Sequence, residues 1–345
     1  MAYLKEQATW EDGIYQYEIT DPLQGGEDGI DNVQGKQLAN RTKYLKEEFE
    51  KHVSAKNPHK VTAAQTGAYT KQETDAKITA VNSELTSHGG CTDGRNLLDV
   101  FGKTTVAEVM EILHNKCNGE GKADFSGLMI GDYLDLPSLT VDGITYTWND
   151  TYQNLRIVIS GFNHYIYCGD LENGAAILEN KKNHILWTFR NVVLRRRLHT
   201  KSLDPDGYME SELKTYLDGV FADGLSIAFG SRDYLYTITR FISGCRQTKE
   251  TRDTVFVPTE VEVFGISTYG NDQIGSNTNN QYPIYRDSSF YRVKKYNGLR
   301  MWWFMSTPNS RDLSRICHVR HNGTSGNHGS ADSPGGGVAP AFCTC

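Results

Sequence analysis

The chain has no apolar run approaching the roughly 20 residues that a membrane-spanning helix needs, and its opening, Met1-Ala2-Tyr3-Leu4-Lys5-Glu6, lacks the apolar stretch of an export signal. Membrane insertion and export by the usual route are therefore not expected. Dense basic clusters are also scarce: Arg195-Arg196-Arg197 is the one compact run in a chain of formal net charge -6. Binding to nucleic acid requires clustered Lys and Arg against phosphate, so no such partner is expected, and the run reads as a solvated or locally paired edge. Cysteine offers no disulfide framework, because the seven residues (91, 117, 168, 245, 317, 343 and 345) are scattered and odd in number. Reduced, mostly buried thiols are expected. Cys343-Thr344-Cys345 is too tight for an ordinary zinc knuckle and has neither a CxxC pair nor an HxxxH helix beside it, so no metal or other cofactor is expected.

The most informative absence is local. Between Asn309 and Pro334 there is no Lys, Glu, Gln, Met or Trp, although these five types make up 60 of the 345 residues. The segment uses Ser, Gly, Asn, His, Arg, Asp and Thr with a few apolar residues between, an alphabet suited to contact. On either side lie aromatic or small residues: Leu299-Arg300-Met301-Trp302-Trp303-Phe304-Met305 before it and Gly335-Gly336-Gly337-Val338-Ala339-Pro340-Ala341-Phe342-Cys343 after it.

What is present divides the chain unevenly. Residues 1–90 hold one Trp, one Phe and no Cys, too little to build a large core alone. Gly25-Gly26-Glu27-Asp28-Gly29 marks a turn. Beyond it Leu38, Leu45 and His52 stand seven residues apart, with Thr42 and Phe49 between them and charged flanks at Lys43, Lys46, Glu47, Glu48 and Lys51. That spacing predicts a short helix with one narrow apolar stripe, facing either copies of itself or its own domain.

From Cys91 onward the composition is that of a packed domain. Thr105 and Glu108 form a capping-box pair ahead of a helical face of Val106, Val109, Met110, Ile112 and Leu113 that ends near Asn118-Gly119. A second helix is predicted over Ser211 to Phe221, with Leu213, Tyr216, Leu217 and Val220 on one side. Strands are predicted at Leu155–Phe162, His184–Phe189, Tyr234–Ile242, Val255–Val263, Met301–Met305 and Ile316–Val319. The Gly270–Asn280 stretch reads as a surface excursion. Many short strands, two helices and long loops make an α+β domain.

Two N-terminal motifs carry a resemblance. Gln37-Leu38-Ala39-Asn40-Arg41-Thr42-Lys43-Tyr44-Leu45-Lys46 resembles a helix near the start of many phage tail-fibre proteins. Asn57-Pro58-His59-Lys60-Val61-Thr62-Ala63-Ala64-Gln65-Thr66-Gly67-Ala68 is similar to an element that recurs along their shafts, with Lys60 where Gly is common. The resemblance implies a division into an attachment and trimerisation region (1–55), a short shaft (56–90) and a C-terminal domain (91–345). It also implies a homotrimer, contact with phage tail or baseplate proteins through the N-terminus, and a place in the virion.

The C-terminal half resembles a second family. Tyr216-Leu217-Asp218-Gly219-Val220-Phe221, the run Asp253 to Gly265, Met301 to Pro308 and Gly336 to Cys343 are similar, in that order, to the C-type-lectin-fold variable proteins of diversity-generating retroelements. In that family, adenines in chosen codons are rewritten. AAC-type codons so altered reach Asn, Ser, Asp, His, Arg, Thr and Gly but never Lys, Glu, Gln, Met or Trp, the gap found in 309–334. The resemblance makes this the variable segment. Its candidate ligand-binding residues are Asn309, Ser310, Arg311, Asp312, Ser314, Arg315, His318, Arg320, His321, Asn322, Thr324, Asn327, His328, Ser330 and Asp332, together with the framework Trp303. Leu313, Ile316, Cys317 and Val319 alternate with them and are expected to face the core.

The implied function is non-covalent attachment of a virion to a host cell-surface protein or glycan. His318, His321 and His328 read as recognition residues because no nearby framework group completes a metal or catalytic set. Two alternatives remain. A fibre-borne glycan-modifying enzyme would need two carboxylates at working separation. Asp204/Asp206 reads as a turn, however, and Glu260/Glu262 as one face of a strand. A bacterial surface adhesin is disfavoured by the missing signal and the fibre-like N-terminus. Cys343 and Cys345 resemble the thiol pair of formylglycine-generating enzymes, but the Cys343 position also occurs in non-enzymatic relatives, so catalysis is not expected.

Overall fold

The computed structural model describes residues 3–56, 58–62, 65, 69–77, 93–118, 123–166, 182–200, 207–243, 248–270, 280–286, 289–312 and 314–345. The chain divides into two compact units, Met1–Glu84 and Leu85–Cys345.

Among the described residues the longest helix of the first unit is α1 (Val33–Ser54), where the heptad-like spacing places it. An irregular N-terminal segment is laced along it by polar contacts. The Gln7 amide donates to Asn40 Oδ1 (2.7 Å), Asn40 Nδ2 to Glu11 Oε1 (2.7 Å) and the Tyr15 amide to Gln37 Oε1 (2.6 Å). The Arg41 guanidinium lies 4.7 Å from the centre of the Trp10 ring and donates from Nε to the Glu11 carbonyl. The apolar stripe is not used for this: Leu38, Leu45, Phe49 and Val53 are 50, 56, 67 and 65% exposed. At Lys60, φ is +53°, the left-handed region that glycine enters without steric cost, which accounts for the usual glycine in the resembling element. Much of that element, including Asn57, Ala63, Ala64 and Thr66 to Ala68, lies outside the described residues.

The second unit is α+β. It opens with α2 (Leu97–Phe101) and α3 (Val106–Asn118). The predicted capping box at the start of α3 is formed, with the Thr105 amide 3.1 Å from Glu108 Oε2 and the Glu108 amide 3.4 Å from Thr105 Oγ1. Five short strands and a long one follow: β1 (Tyr133–Asp135), β2 (Ser138–Val141), β3 (Ile144–Thr147), β4 (Arg156–Phe162), β5 (Ile185–Phe189) and β6 (Leu194–Arg195).

The predicted helix over Ser211 to Phe221 is cut short and then resumes. Ser211 caps α4 (Glu212–Tyr216), Gly219 breaks helical geometry at φ -93°, ψ -107°, and α5 (Ala222–Phe229) continues beyond the expected end. The break swings Val220 outward to 40% exposure, so it does not share the apolar face of Leu213 and Leu217. At Gly224, α5 approaches β2 so closely that an added Cβ would stand 2.4 Å from the Thr140 carbonyl oxygen.

The remaining elements are β7 (Leu235–Tyr236), β8 (Ile238–Ser243), β9 (Thr248–Asp253), β10 (Val255–Phe256), α6 (Glu260–Phe264), α7 (Pro283–Arg286), β11 (Lys294–Tyr296), β12 (Leu299–Met301), β13 (Trp303–Pro308), β14 (Arg315–Val319), β15 (Ser325–Ser330), β16 (Gly337–Val338) and β17 (Ala341–Thr344). One expectation is corrected here. Val255–Val263 is not one strand, because β10 stops at Phe256 and Thr259 starts α6 with a full capping box to Glu262. The predicted excursion at Gly270–Asn280 lies, between its ends, outside the described residues, as do Asp204 and Asp206.

Two sheets organise the core. The first runs β1-β4-β5-β17-β10, with β7 also pairing β17; the second runs β15-β14-β13-β16-β6. Every residue of β5 and β17 and all but the last of β4 are buried, because both faces of the first sheet are covered. On one face Ile157, Ile159, Trp187 and Phe342 join Val109, Met110 and Leu113 of α3. On the other, Val158, Leu186 and Cys343 meet Trp303, Met305, Cys317 and Val319 of the second sheet. Cys117, Cys317, Cys343 and Cys345 are buried, and burial pushes the Cys117 thiol up to about 12. Cys91, Cys168 and Cys245 lie outside the described residues.

The core contains an ionic chain. Arg240 donates from Nη1 to Asp253 Oδ2 (3.0 Å) and from Nη2 to Glu262 Oε2 (2.6 Å), with all three side chains at most 1% exposed. Lys214 Nζ reaches Asp253 Oδ1 at 2.9 Å, and Tyr165 Oη donates to Glu262 Oε1 at 2.6 Å. Removing one partner strands buried charge. Arg240→Met is therefore expected to cost about 3–5 kcal/mol of unfolding free energy, read as a lower urea midpoint. A loss below about 1 kcal/mol would show that the charges are not coupled as drawn.

Candidate display surface

The segment singled out by composition folds as the hairpin β14–β15 on one edge of the second sheet. β14 pairs antiparallel with β13 (Trp303↔Val319, Phe304↔His318) and with β15 (His318↔Gly326, Val319↔Ser325). The turn closes with the Arg320 amide donating to the Thr324 carbonyl (2.8 Å) and the Gly323 amide to the Arg320 carbonyl (2.9 Å), with Gly323 at φ +84°.

Most candidate residues are placed on the outside. Ser310, Arg311, Ser314, Arg320, His321, Asn322, Thr324, His328, Ser330 and Asp332 are exposed, and Asp312, Arg315 and Asn327 are half-buried. Ile316, Cys317 and Val319 are fully buried, but His318 between them is buried too: β14 is covered on both faces, Ile316 packing in one core cluster and Cys317 and Val319 in the other, while Leu313 lies outside the described residues.

Three candidates are buried. Trp303 is fully buried and donates from Nε1 to the Arg292 carbonyl at 3.0 Å, so it supports the sheet from within. Its neighbour Trp302, on the opposite face, is the half-buried indole. Asn309 is 3% exposed and acts as a splice: Nδ2 donates to the Asn327 carbonyl (3.0 Å) and Oδ1 accepts from the Arg311 amide (2.8 Å). His318 is 9% exposed, its ring edge-on to Trp302 at 5.4 Å between centroids. Burial, with Arg320 adding in the same direction, pushes the His318 imidazole down to about 4, so it is neutral at pH 7.

Side chains on the surface are partly paired. Asp312 accepts from Ser314 Oγ (2.6 Å) and from Arg315 Nε (2.9 Å), and Arg315 Nη1 is 2.6 Å from His328 Nδ1. Asn322 Oδ1 accepts from Thr324 Oγ1 at 2.7 Å, and Ser330 donates to Asp332. Among the described residues Arg311, Arg320 and His321 make no side-chain hydrogen bond or ion pair, leaving two guanidinium groups and an imidazole directed at solvent.

The hairpin is tied down by a residue that the sequence reading placed on a strand face. Glu260, fully buried in the first turn of α6, accepts at Oε2 from the amides of Thr268 (3.0 Å), Tyr269 (3.0 Å) and Gly270 (2.9 Å). Its Oε1 accepts from Ser325 Oγ of β15 at 2.5 Å, and its own amide donates to Thr307 Oγ1 at 2.8 Å. The Tyr269 carbonyl held in this way accepts the Ser310 amide at 2.9 Å. One carboxylate thus holds the start of the segment, through Tyr269, and the start of β15. The signal was available as Thr259-Glu260-Val261-Glu262 after Pro258, a capping-box spelling that announces a helix. Neither Glu260 nor Glu262 is free to serve as one of a working pair of catalytic carboxylates, since both are buried and engaged. Among the described residues no group of three or more His, Cys, Asp or Glu side chains could hold a metal ion, and no helix is long and apolar enough to cross a membrane.

Glu260→Ala would leave three backbone amides and a serine hydroxyl without their acceptor; each charged hydrogen bond is worth about 1.5–3 kcal/mol, so a loss of about 3 kcal/mol or more is expected. Denaturant unfolding measures the loss, and faster amide exchange at Thr268 to Gly270 locates it. The histidines give a second expectation. Burial pushes His164 down to about 3 and His184 down to about 4, alongside His318. In the unfolded chain they titrate near 6.5, so between about 6.5 and 4 the unfolded state binds more protons and stability falls as pH falls, by about 1.4 kcal/mol per pH unit per histidine. Urea midpoints from pH 7 to 4.5 test the slope, and His318→Gln should reduce it.

A family profile described as "Domain of unknown function (DUF6273)" matches residues 182–344, a span that contains every strand of the display sheet and the Glu260 clamp. Comparisons with curated proteins and with solved structures gave no match.

Proposed function

We propose that the chain is a phage tail-fibre protein whose C-terminal domain, of the C-type-lectin fold and the diversity-generating-retroelement type, attaches the virion to a ligand on the host cell surface. The observation that carries this reading is the separation of side chains along the hairpin: Arg320, His321, Asn322, Thr324, His328 and Ser330 are exposed while Ile316, Cys317 and Val319 are fully buried. Outward residues can then be exchanged without loss of the core. The missing Lys, Glu, Gln, Met and Trp in 309–334 is the composition that adenine rewriting leaves. The exposed stripe of Leu38, Leu45, Phe49 and Val53 on α1 supports the N-terminal half of the reading, a fibre region that forms a homotrimer and joins the tail or baseplate. Three copies on one fibre raise the avidity of a modest single site through effective concentration.

The test exchanges the exposed side chains of 309–334 while keeping Ile316, Cys317, Val319, Asn309 and Ser325. The expected result is an unchanged melting temperature and a change of about tenfold or more in attachment to susceptible cells, the effect of about 1.4 kcal/mol. Attachment unaltered by an exchange that leaves the fold intact would overturn the reading.

A further inference from the structure

At the turn end of the hairpin, two side chains meet over a residue that has none, and a third ring stands beside them. Gly326 of β15 pairs with His318 of β14, and a Cβ built on Gly326 would stand 2.7 Å from His318 Nε2 and 2.8 Å from Arg320 Nε. Continuing the β13–β14 register by one residue sets Trp302 opposite Arg320, and the Trp302 and His318 rings are 5.4 Å apart, edge to face at 73°. All these groups lie on the face of the sheet that carries Phe304, whose ring is 5.0 Å from Trp302. Arg320 Nε lies over Gly326, and the Trp302 indole is half-buried.

We propose that Trp302, His318 and Arg320 above Gly326 form a subsite for an anionic sugar, a pyranose ring laid against the indole with its carboxylate or phosphate held by the Arg320 guanidinium. The proposal names the ligand class for the display surface and rests on the receptor-binding reading. Charge supports an oxyanion. In a chain of net charge -6, segment 309–334 carries Arg311, Arg315 and Arg320 against Asp312 and Asp332. Asp312 is paired with Arg315, which leaves Arg311 and Arg320 against Asp332, a net positive charge of one. A guanidinium binds a carboxylate or phosphate through two parallel N–H donors. The indole supplies a rigid apolar surface for the C–H face of a sugar at little entropic cost. His318, buried and edge-on, fixes the tilt of that indole. Trp302 lies outside 309–334, so the aromatic platform belongs to the frame while Arg320 belongs to the exchangeable set.

The test measures binding of the full chain to oligogalacturonate, phosphorylated dextran, neutral dextran and poly-aspartate by calorimetry at about 50 and 300 mM salt. Binding to one or both anionic glycans is expected, weakened about tenfold by the higher salt, with none to neutral dextran or poly-aspartate. Arg320→Gln and Trp302→Leu should each weaken it about tenfold, Gly326→Ala should weaken it by displacing His318 and Arg320, and Arg232→Gln, on an exposed ion pair away from the hairpin, should stay within about threefold. Thermal melting of each variant separates lost binding from lost folding. Equal binding of neutral dextran, binding of poly-aspartate, no glycan binding at all, or folded Arg320→Gln and Trp302→Leu proteins with wild-type affinity would each overturn the proposal. Cell attachment separates the two levels. If these variants attach normally while exchange of the whole exposed set abolishes attachment, the subsite fails and the receptor reading stands. If the whole exchange also leaves attachment unchanged, the receptor reading itself fails.

Discussion

Glu260 imposes the constraint on which the display surface depends. A buried carboxylate must have its lone pairs satisfied, and here they are satisfied by three consecutive amides of 268–270 and by Ser325 of the outermost strand. An edge strand with two glycines and two serines among its six residues has little side-chain packing of its own. Its position is set by the carboxylate on one side and by its ladder to β14 on the other. The same carboxylate fixes Tyr269, and through Tyr269 the amide of Ser310 at the start of the display segment. At Ser310 the anchor is the backbone amide, so the exposed side chain there takes no part in the hold.

Beneath the clamp, Glu262 performs a complementary task two residues along the same short helix. It closes the capping box that starts α6 and meets Arg240, which in turn meets Asp253 beside Lys214. A five-residue helix cannot be stable through its own hydrogen bonds. It persists because its two carboxylates are each held from outside the helix. Lys294 is handled differently: it is buried beside the Trp303 ring at 5.2 Å, donates to the carbonyls of Phe189 and Arg190, and burial lowers its pKa well below the usual lysine value. Carbonyl acceptors and a ring face there replace a carboxylate partner.

Periodicity revealed much of the local structure. The Thr105–Glu108 capping box and the runs that became β4, β5 and β14 were legible because propensity, patterning and burial agree there, whereas α1 was legible from its spacing alone, its stripe being left exposed. Failures fell where short apolar runs look alike. Val255 to Val263 alternates as a strand would, yet Pro258 and the Thr259 cap turn it into α6. β15 could not be seen because Ser, Gly, Asn and His have no strand periodicity, and it forms by pairing with β14. The candidate surface was legible as a set of residue types, but which of two adjacent tryptophans faces outward depends on the phase of β13, and that phase is set by Met305, Cys317 and Val319 packing on the opposite face.

The sequence by itself determined that 309–334 is a segment of contact-forming residues between apolar flanks, because composition and local spacing are written along the chain. Tertiary structure alone decided that Trp303, Asn309 and His318 turn inward, that Glu260 reaches across 65 residues to Ser325, and that Trp302, Arg320 and Gly326 share one end of one face. Those outcomes depend on pairing between strands distant in the chain and on the demand that every buried carboxylate find its donors, and neither is encoded in any short window of residues.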